Sequence, residues 1–203
     1  MRFLYIFITS MLLTWLPGRA QELLMAQQGT VTFFSVAPLE NIQATSRKIT
    51  GTIHNISKKI NFNIPINSFE FNNSLMQEHF NDKFMESHRY PTAEFSGEIV
   101  SGNNYLEAGT HEVTVKGNLQ VHGIERERII KGTIINKDGK LKLKSNFNIK
   151  LKDHNIKVPD LVYEKVAEVI DVSLMLDLAP MPDANAKSKS GKKLKNTISK
   201  AEY

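Results

Sequence analysis

Residues 140–150 read KLKLKSNFNIK, and this stretch decides the fold. Apolar or small side chains occupy every second position from Leu141 to Leu151, and lysine or asparagine occupies the positions between them. This alternation is typical of a β-strand with one face in an apolar core and the other in water. The preceding residues 136–139 end in Asp-Gly, which supplies the positive φ angles of a tight hairpin turn. The sequence therefore predicts an antiparallel hairpin with one dry face.

The same alternation recurs along most of the chain, from residue 30 to residue 179. It is clearest in residues 31–35, 49–53, 60–71, 95–99, 113–121, 130–134 and 170–178. Strands that are dry on one side must bury that side together, and an open sheet needs a second layer to do so. We therefore predict an all-β fold, an extended antiparallel β-barrel of about eight strands. A sandwich of two sheets would show the same alternation and stays open as an alternative.

One stretch departs from the period of two. Met76, Phe80 and Phe84 are four residues apart, which predicts one apolar stripe of a short helix that caps the barrel. Ser74 followed by Gln77 predicts a capping box at its start. The stripe fits either a movable lid or a fixed plug. A further helical turn is predicted at residues 161–166, after Pro159.

Three segments are expected along the chain. Residues 1–20 combine Arg2, an apolar run from Phe3 to Leu16 and a small residue at Ala20, which predicts a signal peptide with cleavage near Ala20. An uncleaved anchor is the alternative. Residues 21–182 form the β-barrel domain, exported to the periplasm or secreted. Residues 183–203 hold six lysines against two acidic residues and are predicted to be disordered.

The net charge of +5 belongs to this lysine-rich tail and to the first segment, because residues 21–182 carry 18 basic and 19 acidic side chains. We therefore expect no nucleic-acid partner. The tail either contacts anionic lipid head groups as a peripheral membrane element or is simply solvated.

Candidate catalytic and metal sites are scarce. The chain has no cysteine, which excludes disulfides, thiolate metal sites and a cysteine nucleophile. The six histidines show no i, i+4 pair typical of a zinc protease, and no nucleophile elbow or phosphate-binding loop occurs. We read His122 as a turn residue before Gly123 that hydrogen-bonds to the backbone. The sequence predicts no enzyme, no metal and no catalytic residue.

Two motifs resemble the YceI-like family. Glu78-His79-Phe80 through Met85, followed by Tyr90-Pro91-Thr92-Ala93-Glu94-Phe95, resembles its helix and "YPT-x-x-F" segment. Residues 116–124, KGNLQVHGI, resemble its "G-x-L-x-[IV]-H-G-V" strand and turn. The resemblance covers about residues 28–180. Where the family usually has "R-[SD]-x-[FW]-G-[IM]", this chain has KDHNI at 152–156, and Asn155 is the best non-glycine residue for a positive φ.

The resemblance implies an exported, lipocalin-like barrel that binds a long polyisoprenoid chain without catalysis, with no cofactor beyond a bound isoprenoid lipid or quinone. The inward side chains are then the candidate ligand-binding residues. They are Phe33, Phe62, Ile64, Phe71, Met76, Phe80, Phe84, Phe95, Val115, Gly117, Leu119, Leu143, Phe147, Ile149 and Leu174. Glycines at 97, 117 and 132 are expected to leave space inside, so that Gly117→Leu would fill the cavity at a modest cost in stability.

Two other functions stay open at this point. A barrel whose interior is filled by its own side chains would be a structural or interaction domain that binds a protein or an envelope partner. A lipid hydrolase or isomerase is the third reading, and the lack of an acid–base motif disfavours it. The sequence fixes neither the ligand nor the oligomeric state.

Overall fold

The computed structural model describes residues 23–36, 41–102, 104–157 and 167–181. The signal peptide predicted at 1–20, the tail at 183–203 and the helical turn at 161–166 lie outside these ranges and stay predictions. Among the residues described, no helix has both the length and the apolar character needed to cross a bilayer.

The described chain forms ten strands. They are β1 (Leu23–Ser35), β2 (Ile42–Ser46), β3 (Thr50–His54), β4 (Lys59–Pro65), β5 (Glu70–Phe71), β6 (Thr92–Ser101), β7 (Gly109–Val121), β8 (Ile124–Lys137), β9 (Lys140–Lys150) and β10 (Val169–Pro180). All pairings are antiparallel, in the order β10-β9-β8-β7-β6-β4-β3-β1, and β1 pairs with β10 to close the sheet. This confirms the predicted all-β, lipocalin-like barrel of eight strands. Closure removes the two-sheet sandwich as an alternative.

The two remaining strands extend the wall at one place. β2 and β3 pair with β1 in one continuous register, so that they are two parts of one interrupted strand. β5 pairs with β2 after a 3₁₀ turn at Ile66–Ser68. The wall beside β1 is therefore prolonged toward the helix.

The hairpin that the sequence predicts from residues 136–151 is confirmed. Leu141, Leu143 and Ser145 are buried, whereas Lys140 and Lys144 are exposed. Asp138 and Gly139 have φ angles of 53° and 77°. The alternation thus gave the correct face of β9 at each of these positions.

The first strand is longer than its alternation predicts. β1 begins at Leu23, seven residues before Thr30, and Leu24 is completely buried. Its register against β10 shifts between Ala26 and Gln28. A bulge of this kind adds one residue to a strand, and the period of two is lost in the sequence where it occurs.

Helix α1 (Ser74–His79) continues into a π-helical turn at Phe80–Phe84, and together they are the short cap that the sequence predicts. The predicted capping box is wrong. Asn73 caps the helix, because its Oδ1 accepts hydrogen bonds from the N–H groups of Leu75 (2.9 Å) and Met76 (3.3 Å). The Gln77 side chain instead accepts from the Phe71 N–H at 3.3 Å, which attaches the helix to β5.

The barrel interior is densely packed at one end, which we call the filled end. Its side chains share an exposure of 6% or less. They are Leu24, Ile53, Ile99, Tyr105, Ile134, Leu141, Leu176 and Leu178. The Tyr105 hydroxyl donates to Asn55 Oδ1 at 3.1 Å, and burial raises the pKa of this tyrosine. The opposite end, which α1 caps, is the hollow end.

Candidate ligand-binding cavity

A cavity of about 520 Å³ occupies the hollow end. Its wall comes from the parts of β1, β4 and β6–β10 nearest to α1, together with the cap itself. Pockets for small molecules in proteins measure about 300–1,000 Å³. The hollow end therefore has room for a guest molecule, whereas the filled end does not line this cavity.

Fourteen of the fifteen predicted ligand-binding residues line this cavity. They are Phe33, Phe62, Ile64, Phe71, Met76, Phe80, Phe84, Phe95, Val115, Leu119, Leu143, Phe147, Ile149 and Leu174. The structure thus brings together residues that are up to 141 positions apart, from Phe33 to Leu174. That these residues bind a ligand stays a prediction.

Gly117 is the exception. It lies on the inward face of β7, paired with Gly97 of β6, but it does not border the cavity. A Cβ atom added at Gly117 would lie 2.6 Å from the Gly97 Cα and still closer to the Ser96 carbonyl oxygen. The expected space is occupied by the backbone of β6, because the two glycines let the strands approach closely. Gly117→Leu is therefore not the mild cavity-filling change that the sequence suggested; of the three glycines, only Gly132 borders the cavity.

Several lining residues were missed by the sequence reasoning. They are chiefly Val31, Ile60, Ile66, Phe69, Met85, Val121, Ile130, Ile156 and Val172. Most belong to the same alternating strands, so their face was predictable. Ile66, Phe69, Met85 and Ile156 lie outside the strands, and around Met85 and Ile156 no alternation marks a side chain as inward.

The lining is almost entirely apolar. Its few polar residues include Ser35 and Ser145, and both hydroxyl groups are engaged with backbone: Ser35 Oγ accepts from the Ala167 N–H at 2.9 Å, and Ser145 Oγ donates to the Lys131 carbonyl at 2.7 Å. Among the residues described, no three His, Asp or Glu side chains come together as metal ligands. The interior is chemically suited to hydrocarbon.

Four phenylalanines form an aromatic cluster between the cap and the wall: Phe33, Phe69, Phe71 and Phe80. The Phe80 ring centroid lies 5.4 Å from Phe33, 5.8 Å from Phe69 and 5.1 Å from Phe71. Aromatic pairs at such distances stabilise beyond the area they bury. The cluster fastens the cap to β1 and β5.

A second attachment lies at the other end of the cap. His122 adopts a positive φ of 52° before Gly123, and its Nδ1 donates to the His154 carbonyl at 3.2 Å, which confirms the predicted turn residue. Its Nε2 lies 3.2 Å from Glu86 Oε2, just after the cap. Burial would raise the pKa of Glu86, but Arg89 and His122 together lower it below its ordinary value. A carboxylate therefore holds the end of the cap to the β7–β8 hairpin.

The turn after β9 completes the hollow end. Asn155 has a φ of 53°, as its place in the KDHNI segment predicted. His154, which is fully buried, donates from Nδ1 to the Ile124 carbonyl at 3.0 Å. Burial lowers the pKa of this histidine below its ordinary value, because the interior disfavours the charged ring.

The YceI-like domain family matches residues 24–178, which span the whole barrel from β1 to β10. The chain belongs to the YceI-like family. The YceI-like motifs at residues 78–95 and 116–124 supply the cap, the start of β6 and the β7–β8 turn of this barrel.

Solved structures with the YceI-like fold are similar to the chain. A polyisoprenoid binding domain from Saccharophagus degradans is 14% identical, with a TM-score of 0.69 over 78% of this chain and 98% of that one. Burkholderia cenocepacia BcnA is 15% identical, with a TM-score of 0.60 over 74% and 96%. The Campylobacter jejuni YCEI protein is 18% identical, with a TM-score of 0.54 over 73% and 90%. No curated protein matches the chain significantly.

Proposed function

We propose that this protein is exported and holds a long apolar molecule of the polyisoprenoid type in its hollow end, without converting it. The observation that carries the proposal is the 520 Å³ cavity with its almost wholly apolar lining. A polyisoprenoid has a methyl-rich chain with little hydrogen-bonding capacity. Burial at about 25 cal/mol per Å² of apolar surface gives affinity to such a chain without specific polar contacts.

The comparisons support the same class of ligand. The similar Saccharophagus degradans structure is described as a polyisoprenoid binding domain. Export rests on the signal-peptide pattern of residues 1–20. The alternative, an interaction domain whose barrel is filled throughout, agrees with the filled end. It does not account for the cavity at the hollow end.

The lysine-rich tail is proposed to add peripheral contact with anionic lipid. The described chain begins and ends at the filled end, where the Met181 N–H donates to the Leu23 carbonyl at 2.9 Å. The last described residue before the tail, Met181, therefore lies at the end of the barrel away from the cavity.

Native mass spectrometry of the mature protein, purified from its own host, tests the proposal. We expect a co-purifying apolar molecule of several hundred daltons that is recovered chemically unchanged. Added isoprenoid quinone should quench the tyrosine fluorescence, since the single tryptophan, Trp15, lies in the predicted signal peptide. It should also raise the melting temperature, because a ligand that binds only the folded state stabilises it. Bare protein that takes up no isoprenoid would contradict the proposal.

A pair of matched variants localises the uptake. Val115→Trp places a large ring at the cavity wall, whereas Val100→Trp places the same ring at an exposed position of β6. We expect Val115→Trp to weaken quinone binding by roughly tenfold or more, since apolar volume is lost, and Val100→Trp to leave it unchanged. Melting temperatures of both variants report whether they fold. Equal affinities would show that the ligand binds elsewhere.

A further inference from the structure

The outer surface of the barrel has a shallow groove of about 420 Å³ where β1, β10 and β9 lie side by side, and we call it the outer groove. Its outward-facing side chains are Thr32 and Phe34 of β1, Ser173 and Asp171 of β10, and Asn146 and Asn148 of β9. Phe147 and Val172 border both this groove and the internal cavity. They belong to the barrel wall, which separates the two spaces.

The strand register arranges the six side chains of the outer groove in two rows that cross the three strands. The rows are Thr32–Ser173–Asn146 and Phe34–Asp171–Asn148. Neighbouring strands are about 4.8 Å apart, and successive outward residues of one strand are about 7 Å apart. The two rows therefore form a continuous patch about 10 Å wide across the strands.

Longer side chains border the two rows on both sides, which makes this part of the outer surface concave. Met175 and Lys144 are the next outward pair toward the filled end, and Val169 and Lys150 are the next outward pair toward the hollow end. Met175 and Val169 are each 42% exposed. The floor of the outer groove is therefore mostly polar, whereas its two rims carry exposed aliphatic surface.

Phe34 supplies an aromatic ring that the barrel interior does not use. Its neighbour Phe33 lines the cavity, whereas Phe34 faces outward and is half-buried. Among the residues described, Phe34 is not packed against the hydrophobic core and makes no contact with another aromatic ring. A ring in this position offers an apolar face to a molecule in the outer groove.

The polar side chains around this ring keep their hydrogen-bonding capacity. Within the part of the chain that the structure describes, four of them form no hydrogen bond or ion pair: Asn146, Asn148, Asp171 and Ser173. The backbone of the groove is satisfied, because β1, β10 and β9 pair continuously through these positions. An added peptide strand therefore finds no unpaired backbone here, and a ligand must be recognised by side chains.

We propose that the outer groove binds a neutral β-linked glycan, with Phe34 against the face of a sugar ring and Asn148 and Asp171 hydrogen-bonded to its hydroxyl groups. A sugar ring presents C–H groups on its face, which pack on an aromatic ring. Its hydroxyl groups both donate and accept, which matches an asparagine amide and a carboxylate. A β-1,4-linked chain is extended and can lie along the groove between the two rims. This site is separate from the cavity and does not depend on the proposed lipid function.

NMR titration of the mature protein with cellohexaose and with chitohexaose tests the proposal, because amide chemical shifts both detect weak binding and locate it. Both probes are neutral β-1,4-linked glycans. We expect at least one of them to bind with a dissociation constant of roughly 1 mM or below, since a shallow groove buries only part of its ligand. The shifted amides should lie in β1, β9 and β10 around Phe34 and Asn148.

Four variants assign the binding to these side chains. Phe34→Ala should weaken it roughly tenfold, whereas Phe34→Tyr keeps the ring and should keep the affinity. Asn148→Ala should weaken it about fivefold through the lost hydrogen bonds. Asn61→Ala makes the same change at an exposed outward position of β4 and should leave the affinity unchanged. Melting temperatures show whether each variant folds, and the exposed Asn148 still tests the site should Phe34→Ala fail to fold.

The outcomes separate this site from the cavity. Absence of binding by both glycans, or full affinity in both Phe34→Ala and Asn148→Ala, would overturn the glycan site and leave the lipid function intact. Maltohexaose, whose α-linkages curve the chain, should bind more weakly, and equal binding would contradict the β-linked class. Protein loaded with isoprenoid quinone should bind the glycan as well as unloaded protein does, because the barrel wall lies between the two ligands. Competition between them would place the glycan in the cavity, contrary to the proposal.

Discussion

At the filled end of the barrel Leu176 is completely buried, whereas Leu174, two residues earlier on the same strand, borders the cavity. Both residues face inward, and both continue the same alternating pattern. The difference is what lies opposite them: close-packed side chains at one end and open space at the other. Stability and ligand binding are thus divided along the barrel axis.

The difference between the two ends arises from the element that covers each of them. At the filled end, the β6–β7 connection contributes Tyr105, which is completely buried and tied to Asn55. At the hollow end the cap packs its Phe80 against the wall at β1 and β5 through the aromatic cluster. A side chain inserted into a barrel fills it, whereas a helix fastened to its rim leaves a cavity behind. The filled end can therefore hold the barrel closed while the hollow end stays open.

The largest expected effect comes from shortening the two leucines of β10. Leu176→Ala should lower the free energy of unfolding by about 3 kcal/mol, because it opens a void in close-packed surroundings. Leu174→Ala should cost about 1 kcal/mol, because its side chain already borders open space. Urea unfolding curves measure both values. Equal losses would mean that the two ends are packed alike and that the comparison fails.

A smaller effect is expected from adding a methyl group at two inward glycines. Gly117→Ala should destabilise by about 2 kcal/mol, since the new Cβ meets the backbone of β6, which cannot move aside cheaply. Gly132→Ala, at the cavity, should lower the free energy of unfolding by less than about 1 kcal/mol. Its added Cβ would come no closer to another atom than 3.0 Å, the distance to the Lys144 carbonyl oxygen. The same unfolding measurement applies. If Gly117→Ala destabilised the protein less than Gly132→Ala, β6 and β7 could not approach each other as closely as the structure shows.

The smallest effect is a loss of stability in acid, caused by His154 at the hollow end. Burial lowers the pKa of His154, so the folded protein binds fewer protons than the unfolded chain. The stability that this histidine contributes is fully present above the ordinary histidine pKa of about 6.5, and it is lost as the pH falls below that value. Unfolding free energies measured between pH 7.5 and pH 5 should show this decline. His154→Gln should reduce its slope, and His88→Gln, at an exposed position, should leave the slope unchanged.

Much of the candidate site could be predicted because a period of two identifies the inward face of a strand. Phe147 and Ile149 were assigned to the inward face from the KLKLKSNFNIK segment alone, and both border the cavity. The errors arise where a neighbouring strand matters. Gly117 faces inward as predicted, but the backbone of β6 occupies the space beside it. Asn73 replaces Ser74 as the helix cap, because its extended backbone places the side chain over the first N–H groups.

Arg126 and Arg128 are a second case in which the neighbouring strand gives information that the local sequence lacks. Their sequence, IERERII, alternates in charge, and Arg126 is exposed in the structure while Arg128 is half-buried. The alternation already separates the arginines from the glutamates, and the pairing register adds that the arginines share the face of Leu119. Averaging the charge over residues 21–182 concealed residues 124–157, which carry ten basic and four acidic side chains.

The amino-acid sequence by itself determined the local geometry of this protein: one-sided strands, the Asp138-Gly139 turn, and the left-handed turn at Asn155. These features depend on side-chain alternation and on the φ angles that each residue tolerates, and both are properties of short segments. The tertiary structure decided which end of the barrel is filled and which glycine meets the backbone of a neighbouring strand. Those outcomes depend on register and on the residues that meet across the barrel, and such contacts join positions that no local pattern relates.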